Sequence, residues 1–345
     1  KNPLQMIEHI RASVQKVKGK KPYMLGEFGF ISTEATRAVL DTVIEEGLSG
    51  ALIWSLRYHH RNGGFFWHSE PDGGDFFKAY HWPGFTSGEI YDETNLMAIM
   101  RSKAFLIQKI PVPPLEIPKA PVLLPILDVG AIRWQGSVGA LGYDIERAES
   151  VSGPWSRIAY NVSDADVQYK PLFNDTTAGI EKSYFYRVKA RNAAGVSPES
   201  NIVGPVNVEY RTLVDELDND ARIFSHSPNL SISRNHARKS KEDIHRMDGN
   251  AGTWLIYRTE GLIRSCTLYA FANSNEPTLS IGVSSDGFQF TPLESQRTDF
   301  SQGEGEYGYM KPILYKMQVS TPARFLKIDY VQPTSLSRVE IQYGK

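Results

Sequence analysis

Hydrophobic positions in the first 110 residues recur with helical spacing, and short apolar runs separate the helical stretches. The runs at 22–29 and 50–55 predict buried strands. Helices are predicted after Asn2, from Thr33, and after the capping residue Asp92. Five aliphatic residues form one stripe of the first helix: Leu4, Ile7, Ile10, Val14 and Val17. The order helix, strand, helix, strand, long loop, helix is typical of a parallel α/β fold.

Beyond residue 110 the pattern changes to strand-like alternation. Six prolines between positions 111 and 125 predict a stiff, extended segment, which we take as a domain boundary. Runs at 132–134, 143–147 and 184–190 put apolar residues on one face and predict a small antiparallel sandwich. Runs at 253–257, 278–283 and 324–330 predict a further all-β region, with a hairpin signal at 284–288. The predicted domains are therefore 1–110, 111–208 and 209–345.

Composition and charge narrow the class of protein. The 38 basic and 39 acidic residues give a net charge of −1, which lacks the basic footprint of a nucleic-acid-binding protein. No apolar run approaches the roughly 20 residues that span a bilayer. The single cysteine, Cys266, excludes an internal disulfide and a cysteine-rich zinc site. We therefore expect that the protein neither binds nucleic acid nor spans a membrane.

One carboxylate stands where catalytic groups are found in parallel α/β barrels. Glu27 ends the first predicted strand and is followed by Phe28 and Gly29. The carboxyl ends of barrel strands form the active-site face of (β/α)₈ enzymes. The alternative is a structural role, in which the strand-end glutamate pairs with a neighbouring helix. Position alone favours neither role.

The loop after the second strand is rich in groups that contact sugars. Aromatic faces stack on pyranose rings, whereas arginine and histidine donate hydrogen bonds to hydroxyls. We take five of its residues as candidate substrate contacts: Trp54, Arg57, His59, Trp67 and His68. A loop packed by its own aromatic residues is the alternative. The histidines show no metal-ligand spacing such as His-Glu-x-x-His, so neither a metal nor another cofactor is predicted.

The segments 23–29 and 50–57 together resemble the last two barrel strands of family 5-type glycoside hydrolases. The continuation at 63–70 and 80–84 resembles a β-mannanase-like bacterial branch. The resemblance covers about residues 1–110. It implies that Glu27 is the nucleophile of a retaining mechanism and that Trp54 lines the sugar site. It also implies an acid/base glutamate upstream of this chain, commonly within Asn-Glu-Pro.

An Asn-Glu-Pro tripeptide does occur in the chain, but in an unsuitable place. Asn275, Glu276 and Pro277 lie far downstream, between predicted strands of the third region. Because the order is reversed and the context is a turn, we do not assign the acid/base role to Glu276.

The two β regions carry their own resemblances. Trp134, the Tyr-x-Tyr-x-Val run at 184–188 and the segment 190–195 resemble a fibronectin type III domain. The segments 283–290, 323–328 and 337–341 resemble a discoidin-like, galactose-binding-like jelly roll. Members of that second family bind sugars in some cases and act as spacers in others, so the sequence leaves both roles open.

The expected fold is therefore an incomplete (β/α)₈ TIM-barrel portion followed by two β-sandwich domains. A full barrel takes about 250 residues, so we expect the barrel segment to pack against missing barrel residues of the same gene product or of a second chain. The main functional hypothesis is a secreted, cell-surface or periplasmic glycoside hydrolase that is incomplete in this chain. It would be endo-β-1,4-mannanase-like and act on a β-linked plant polysaccharide with retention of configuration. The alternatives are a non-catalytic carbohydrate-binding or adhesion protein with a structural barrel remnant, and a purely structural scaffold.

Overall fold

The computed structural model describes residues 3–66, 80–84, 92–165, 170–240, 243–300 and 310–344. The first 110 residues form these elements: α1 Pro3–Val17, β1 Met24–Phe28, α2 Thr33–Glu45, β2 Gly50–Ile53, β3 Leu56–Arg57, β4 Tyr80–His81 and α3 Glu93–Gln108. The three helices lie where the periodicity predicts them. Within the described ranges, no helix is long and apolar enough to cross a membrane.

Local signals explain where the second and third helices begin. Ser32 Oγ accepts a hydrogen bond from the Ala35 amide at 3.1 Å, which satisfies one of the free donors of α2. Asp92 caps α3 in the same way, by accepting from the Asn95 amide at 3.1 Å. The buried stripe of α2, which includes Val39, then packs on the neighbouring strands and helices.

β1 and β2 pair in parallel, as predicted, with Met24 opposite Gly50 and Phe28 opposite Ile53. One face of this pair packs on the helices, whereas Met24 and Leu52 on the pair are exposed. β3 and β4 form a second short parallel pair. Among the described residues no further strand joins either pair, so a barrel built on them stays a prediction.

A β-sandwich follows the proline-rich segment. Its strands are β5 Val122–Leu123, β6 Trp134–Gln135, β7 Gly142–Ala148, β8 Ser156–Val162, β9 Ser183–Asn192, β10 Gly195–Glu199 and β11 Val203–Asn207. β7 to β11 form one antiparallel sheet, and β5 pairs with β6. The core is built around Trp134, Tyr143 and Tyr186, all fully buried. We call this unit the first sandwich.

One strand of the first sandwich lies inside the segment predicted to be only an extended linker. Leu123 of β5 pairs with Trp134. Asn201 accepts from the Leu123 amide and donates to the Leu123 carbonyl, both at 2.9 Å. The last prolines of the segment are therefore attached to the first sandwich.

A second, larger sandwich is built from the remaining strands. They are β12 Arg211–Asp215, β13 Ser225–His226, β14 Ser231–Ser233, β15 Arg246–Gly249, β16 Trp254–Arg258, β17 Leu262–Ala272, β18 Leu279–Ser284, β19 Thr291–Pro292, β20 Gln296–Asp299, β21 Lys311–Gln318, β22 Phe325–Tyr330 and β23 Thr334–Gly344. A seven-stranded sheet contains β12, β14, β15, β17, β20, β21 and β23. It faces a five-stranded sheet of order β13-β16-β22-β18-β19, with one continuous apolar core between them.

Candidate functional site

The parallel pairing of β1 and β2 brings Glu27 and Trp54 to the same edge. The Trp54 amide donates to the Phe28 carbonyl at 2.7 Å, so the two strand ends are joined directly after Glu27. Gly29 allows the close approach that follows, because a Cβ placed there would stand 2.5 Å from the Trp54 carbonyl oxygen. The Glu-Phe-Gly sequence thus has a steric reason for its glycine.

Both side chains at this edge are open to solvent. Glu27 is exposed, Trp54 is 42% exposed, and Tyr58 in the following loop is 68% exposed. An accessible carboxylate can accept hydrogen bonds from a polyol, and exposed aromatic rings can stack on the apolar faces of its sugar rings. We call Glu27, Trp54 and Tyr58 the strand-end site.

Arg57 and Tyr80 belong to the short pair next to this edge. Arg57 is half-buried on β3, with His81 of β4 as its register partner. Tyr80 is fully buried, its ring stacks on Phe30, and its hydroxyl accepts from the Phe30 amide at 2.5 Å. The segment after β1 is therefore fixed by a tyrosine that the sequence pattern did not single out.

His59 is placed differently from its predicted role as a sugar contact. It is buried, and its Nε2 atom lies 3.1 Å from Oδ2 of Asp164, a fully buried carboxylate of the first sandwich. Its ring also packs on Phe65 at 4.1 Å between centroids. The imidazole therefore joins the loop to the first sandwich instead of facing solvent at the strand-end site.

A second buried histidine–carboxylate pair escaped the sequence reasoning. His81 Nδ1 lies 3.3 Å from Glu93 Oε1, and both side chains are buried. Phe65 stands between the two histidines, with its ring 4.4 Å from that of His81. The signal that could have revealed the pair is Glu93 at the first turn of α3, where a glutamate is ordinarily solvated.

The remaining predicted contacts divide by location. Trp67 and His68 lie outside the described residues. His60 belongs to the loop, where burial, followed by the charges of Arg61 and Arg133, lowers its pKa below the usual value. Within the described ranges, no three histidine, cysteine, aspartate or glutamate side chains gather in a way that could hold a metal ion.

No family model matches this chain. Several solved structures resemble part of it. The module CsCBM6-3 from Clostridium stercorarium, solved with cellobiose, is 14% identical and aligns over 38% of this chain and 94% of its own, with a TM-score of 0.26. The C-terminal CBM6 of the laminarinase LamC from Zobellia galactanivorans is 12% identical over 38% of this chain and 98% of its own, with a TM-score of 0.25.

A catalytic domain of a GH87 α-1,3-glucanase, solved with tetrasaccharides, also aligns. It is 12% identical over 39% of this chain and 28% of its own, with a TM-score of 0.27. TM-scores of this size do not assign the chain to a family or a ligand. The sheets of the chain itself define its fold, which is two β-sandwiches after an α/β segment.

Proposed function

We propose that this chain is a carbohydrate-binding protein that acts on the outside of the cell and recognises a β-linked polysaccharide. The observation that carries the proposal is the strand-end site: β1 and β2 end side by side, the carboxylate of Glu27 is exposed on β1, and the exposed rings of Trp54 and Tyr58 follow β2. Aromatic faces next to a hydrogen-bond acceptor suit sugar rings, which present C–H groups on their faces and hydroxyls at their rims.

The test is titration calorimetry of the whole chain with mannohexaose and cellohexaose. We expect Trp54→Ala to weaken binding at the strand-end site by about tenfold, which corresponds to ~1.4 kcal/mol. Tyr160→Ala is the matched control, because Tyr160 is 57% exposed on β8 of the first sandwich and so removes an equally open ring elsewhere. Equal affinities for the Trp54 and Tyr160 variants would reject the strand-end site.

A retaining glycoside hydrolase is the second candidate, and the exposure of Glu27 at the carboxyl ends of two parallel strands favours it. In a retaining reaction Glu27 would attack the anomeric carbon, and a second carboxyl group about 5 Å away would protonate the leaving oxygen. The resemblance to β-mannanases makes β-mannan the preferred substrate, and it puts that second group in a barrel segment outside the chain.

Hydrolysis and trapping experiments separate the two candidates. A 2-fluoro-mannoside with a good leaving group should form a stable ester with a retaining nucleophile, seen as a mass increase that Glu27→Gln abolishes. Glu27→Gln should leave oligosaccharide binding largely intact, since the amide keeps the size and an acceptor oxygen. Binding without hydrolysis or trapping would leave the chain as a carbohydrate-binding protein.

The exposed apolar face of the β1–β2 pair supports a proposal about a partner. Met24 and Leu52 are exposed, although parallel strands are normally buried on both faces. We propose that further barrel residues, from the same gene product or from a second chain, cover this face. Light scattering of the purified protein tests it: a stable monomer whose mass equals that of the chain and whose first 110 residues resist proteolysis would contradict the proposal.

A further inference from the structure

We propose that the outer face of the five-stranded sheet in the second sandwich is a separate binding surface for a neutral, extended glycan. This inference rests on the proposed carbohydrate-binding function and adds a second site to it. We call the surface the aromatic face, and it comprises Phe224, Trp254, Arg258, Phe325, Lys327 and Asp329.

Strand alternation creates the aromatic face. Leu255 and Tyr257 of β16 point into the core, so Trp254 and Arg258 stand on the opposite side. On β22, Leu326 is likewise buried in the core, and its neighbours are left on the outer side. The cross-strand pairs Trp254–Asp329, Ile256–Lys327 and Arg258–Phe325 set the rows of the face. Trp254 and Arg258 are four residues apart, which is roughly 13 Å along the strand.

Two aromatic rings meet at one end of the face. The rings of Phe224 and Phe325 meet edge to face, with their centroids 5.5 Å apart, and Phe224 is 55% exposed. A Cβ on Gly287 would lie 3.2 Å from the Phe325 ring, so the turn at 284–288 packs against it. That turn carries Phe288, which is 89% exposed.

The turn that carries Phe288 is rigid. Asp286 Oδ1 accepts from the Phe288 and Gln289 amides at 2.8 and 3.0 Å, and it also accepts from the Ser284 hydroxyl at 2.8 Å. These bonds, led by those from the two amides, lower the pKa of Asp286 to about 2. An exposed phenylalanine on a fixed turn needs little ordering when it meets a ligand.

Charged groups alternate with the rings. The Arg258 guanidinium lies 5.7 Å from the ring centroids of both Phe224 and Phe325. The Lys327 ammonium lies 5.7 Å from the Trp254 ring and 2.7 Å from a carboxylate oxygen of Asp329. Donors and an acceptor are therefore interleaved with apolar faces.

This mixture identifies the ligand class. An apolar protein partner would desolvate Arg258 and the Lys327–Asp329 ion pair without offering any new polar contact in return, which is costly. A glycan matches both features, since its ring faces stack on the aromatic groups and its hydroxyls donate to Asp329 and accept from the two cations. Asp329 on the face and Asp286 on the turn that packs against Phe325 together offset the charges of Arg258 and Lys327, so a neutral glycan fits better than an acidic one.

The aromatic face belongs to the sheet that does not hold the second sandwich to the first. The polar contacts that join described residues of the two sandwiches include Ser337 and Gln342 of β23, Thr212 of β12, and Asp243 before β15, none of which belongs to the five-stranded sheet. A ligand on the five-stranded sheet would therefore leave these contacts undisturbed.

The experiment uses the full chain with Trp54→Ala already in place, so that titration reports sites other than the strand-end site. We expect residual binding of cellohexaose or mannohexaose, and we expect Phe224→Ala with Trp254→Ala to weaken it at least tenfold. Trp254→Phe should preserve most of it. Tyr160→Ala is the matched control, since Arg191 lies 4.2 Å from the Tyr160 ring and reproduces the ring-and-cation arrangement on the first sandwich.

The outcomes distinguish this inference from the proposed function. Residual binding that survives the paired substitution overturns the aromatic face as a binding surface. Complete loss of binding on Trp54→Ala alone also overturns it, but that result supports the strand-end site. Binding that needs the aromatic face but ignores Trp54→Ala supports the inference and rejects the strand-end site. Binding of a uronic-acid hexasaccharide in place of the neutral ones, or binding of none of them by the unmodified chain, overturns the inference.

Discussion

Gly29 lets the chain after β1 approach the Trp54 segment closely at the strand-end site. The Trp54 carbonyl occupies the position in which a side chain at 29 would begin. β1, which ends just before Gly29, holds Gly26, around which a Cβ would meet nothing within 4 Å. One pair of neighbouring glycines thus offers a close approach and its matched control.

We expect Gly29→Ala to lower the free energy of unfolding by about 1–3 kcal/mol, because the added methyl group overpacks the joint between β1 and the Trp54 segment. Gly26→Ala should change it by less than ~1 kcal/mol. Urea denaturation of both variants checks the difference, and titration with mannohexaose shows whether the displaced Trp54 also loses affinity. Equal stabilities for the two variants would mean that the segment shifts freely.

At the scale of elements, the predictable part of the structure is the part with a local signal. α2 and α3 follow from periodic apolar residues and from caps such as Asp92, and the parallel pairing of β1 with β2 follows from their short apolar runs, although both strands are more exposed than those runs predict. The strand β5 was missed because its pairing depends on Trp134 and Asn201, which lie elsewhere in the sequence. The burial of His59 was missed for the same reason.

Another contact of this long-range kind joins the two sheets of the second sandwich. Tyr257 of β16 donates to Asp215 Oδ2 of β12 at 2.9 Å, and both side chains are buried. Burial raises the pKa of Asp215 above its usual value, while the bonds from the Leu217 amide and from Tyr257 oppose that rise. Burying the Asp215 carboxylate therefore costs desolvation free energy, and the hydrogen bond from the Tyr257 hydroxyl reduces that cost.

Tyr257→Phe should destabilise the chain by about 1–3 kcal/mol at pH 7, because the buried carboxylate loses a donor. The raised pKa means that the folded state binds the proton more tightly than the unfolded state. Protonation therefore favours folding, and the difference from the unmodified protein should shrink as the pH falls towards the folded pKa of Asp215 and level off below it. Thermal unfolding between pH 3.5 and 7 measures this. With Asp215→Asn present, the effect of Tyr257→Phe should be independent of pH, and a persistent pH dependence would assign it to another group.

At the scale of the whole molecule, polar contacts join the first sandwich to the second. Lys170 Nζ of the first sandwich lies 2.9 Å from Asp243 Oδ2 and 3.0 Å from Ser337 Oγ of the second, and the lysine is buried. Gln342 also bonds to Asp128 across the junction. If both proposed glycan sites are used by one polysaccharide chain, a fixed junction raises the effective concentration of the second site once the first is filled.

Lys170→Met tests that junction. Removing one partner of a buried ion pair leaves Asp243 without its cation, so we expect a loss of about 3–5 kcal/mol and unfolding that splits into two calorimetric transitions, one for each sandwich. Lys182→Met is the matched control, because the Lys182–Glu149 pair is similarly short at 2.7 Å but lies on the surface. Its loss should leave the calorimetric transitions the same as those of the unmodified protein. A Lys170→Met variant that unfolds like the Lys182→Met variant would show that the sandwiches are held together by other contacts. Avidity for a long mannan, measured on the same two variants, should then fall only where the junction has loosened, because an unconstrained second site loses its effective concentration.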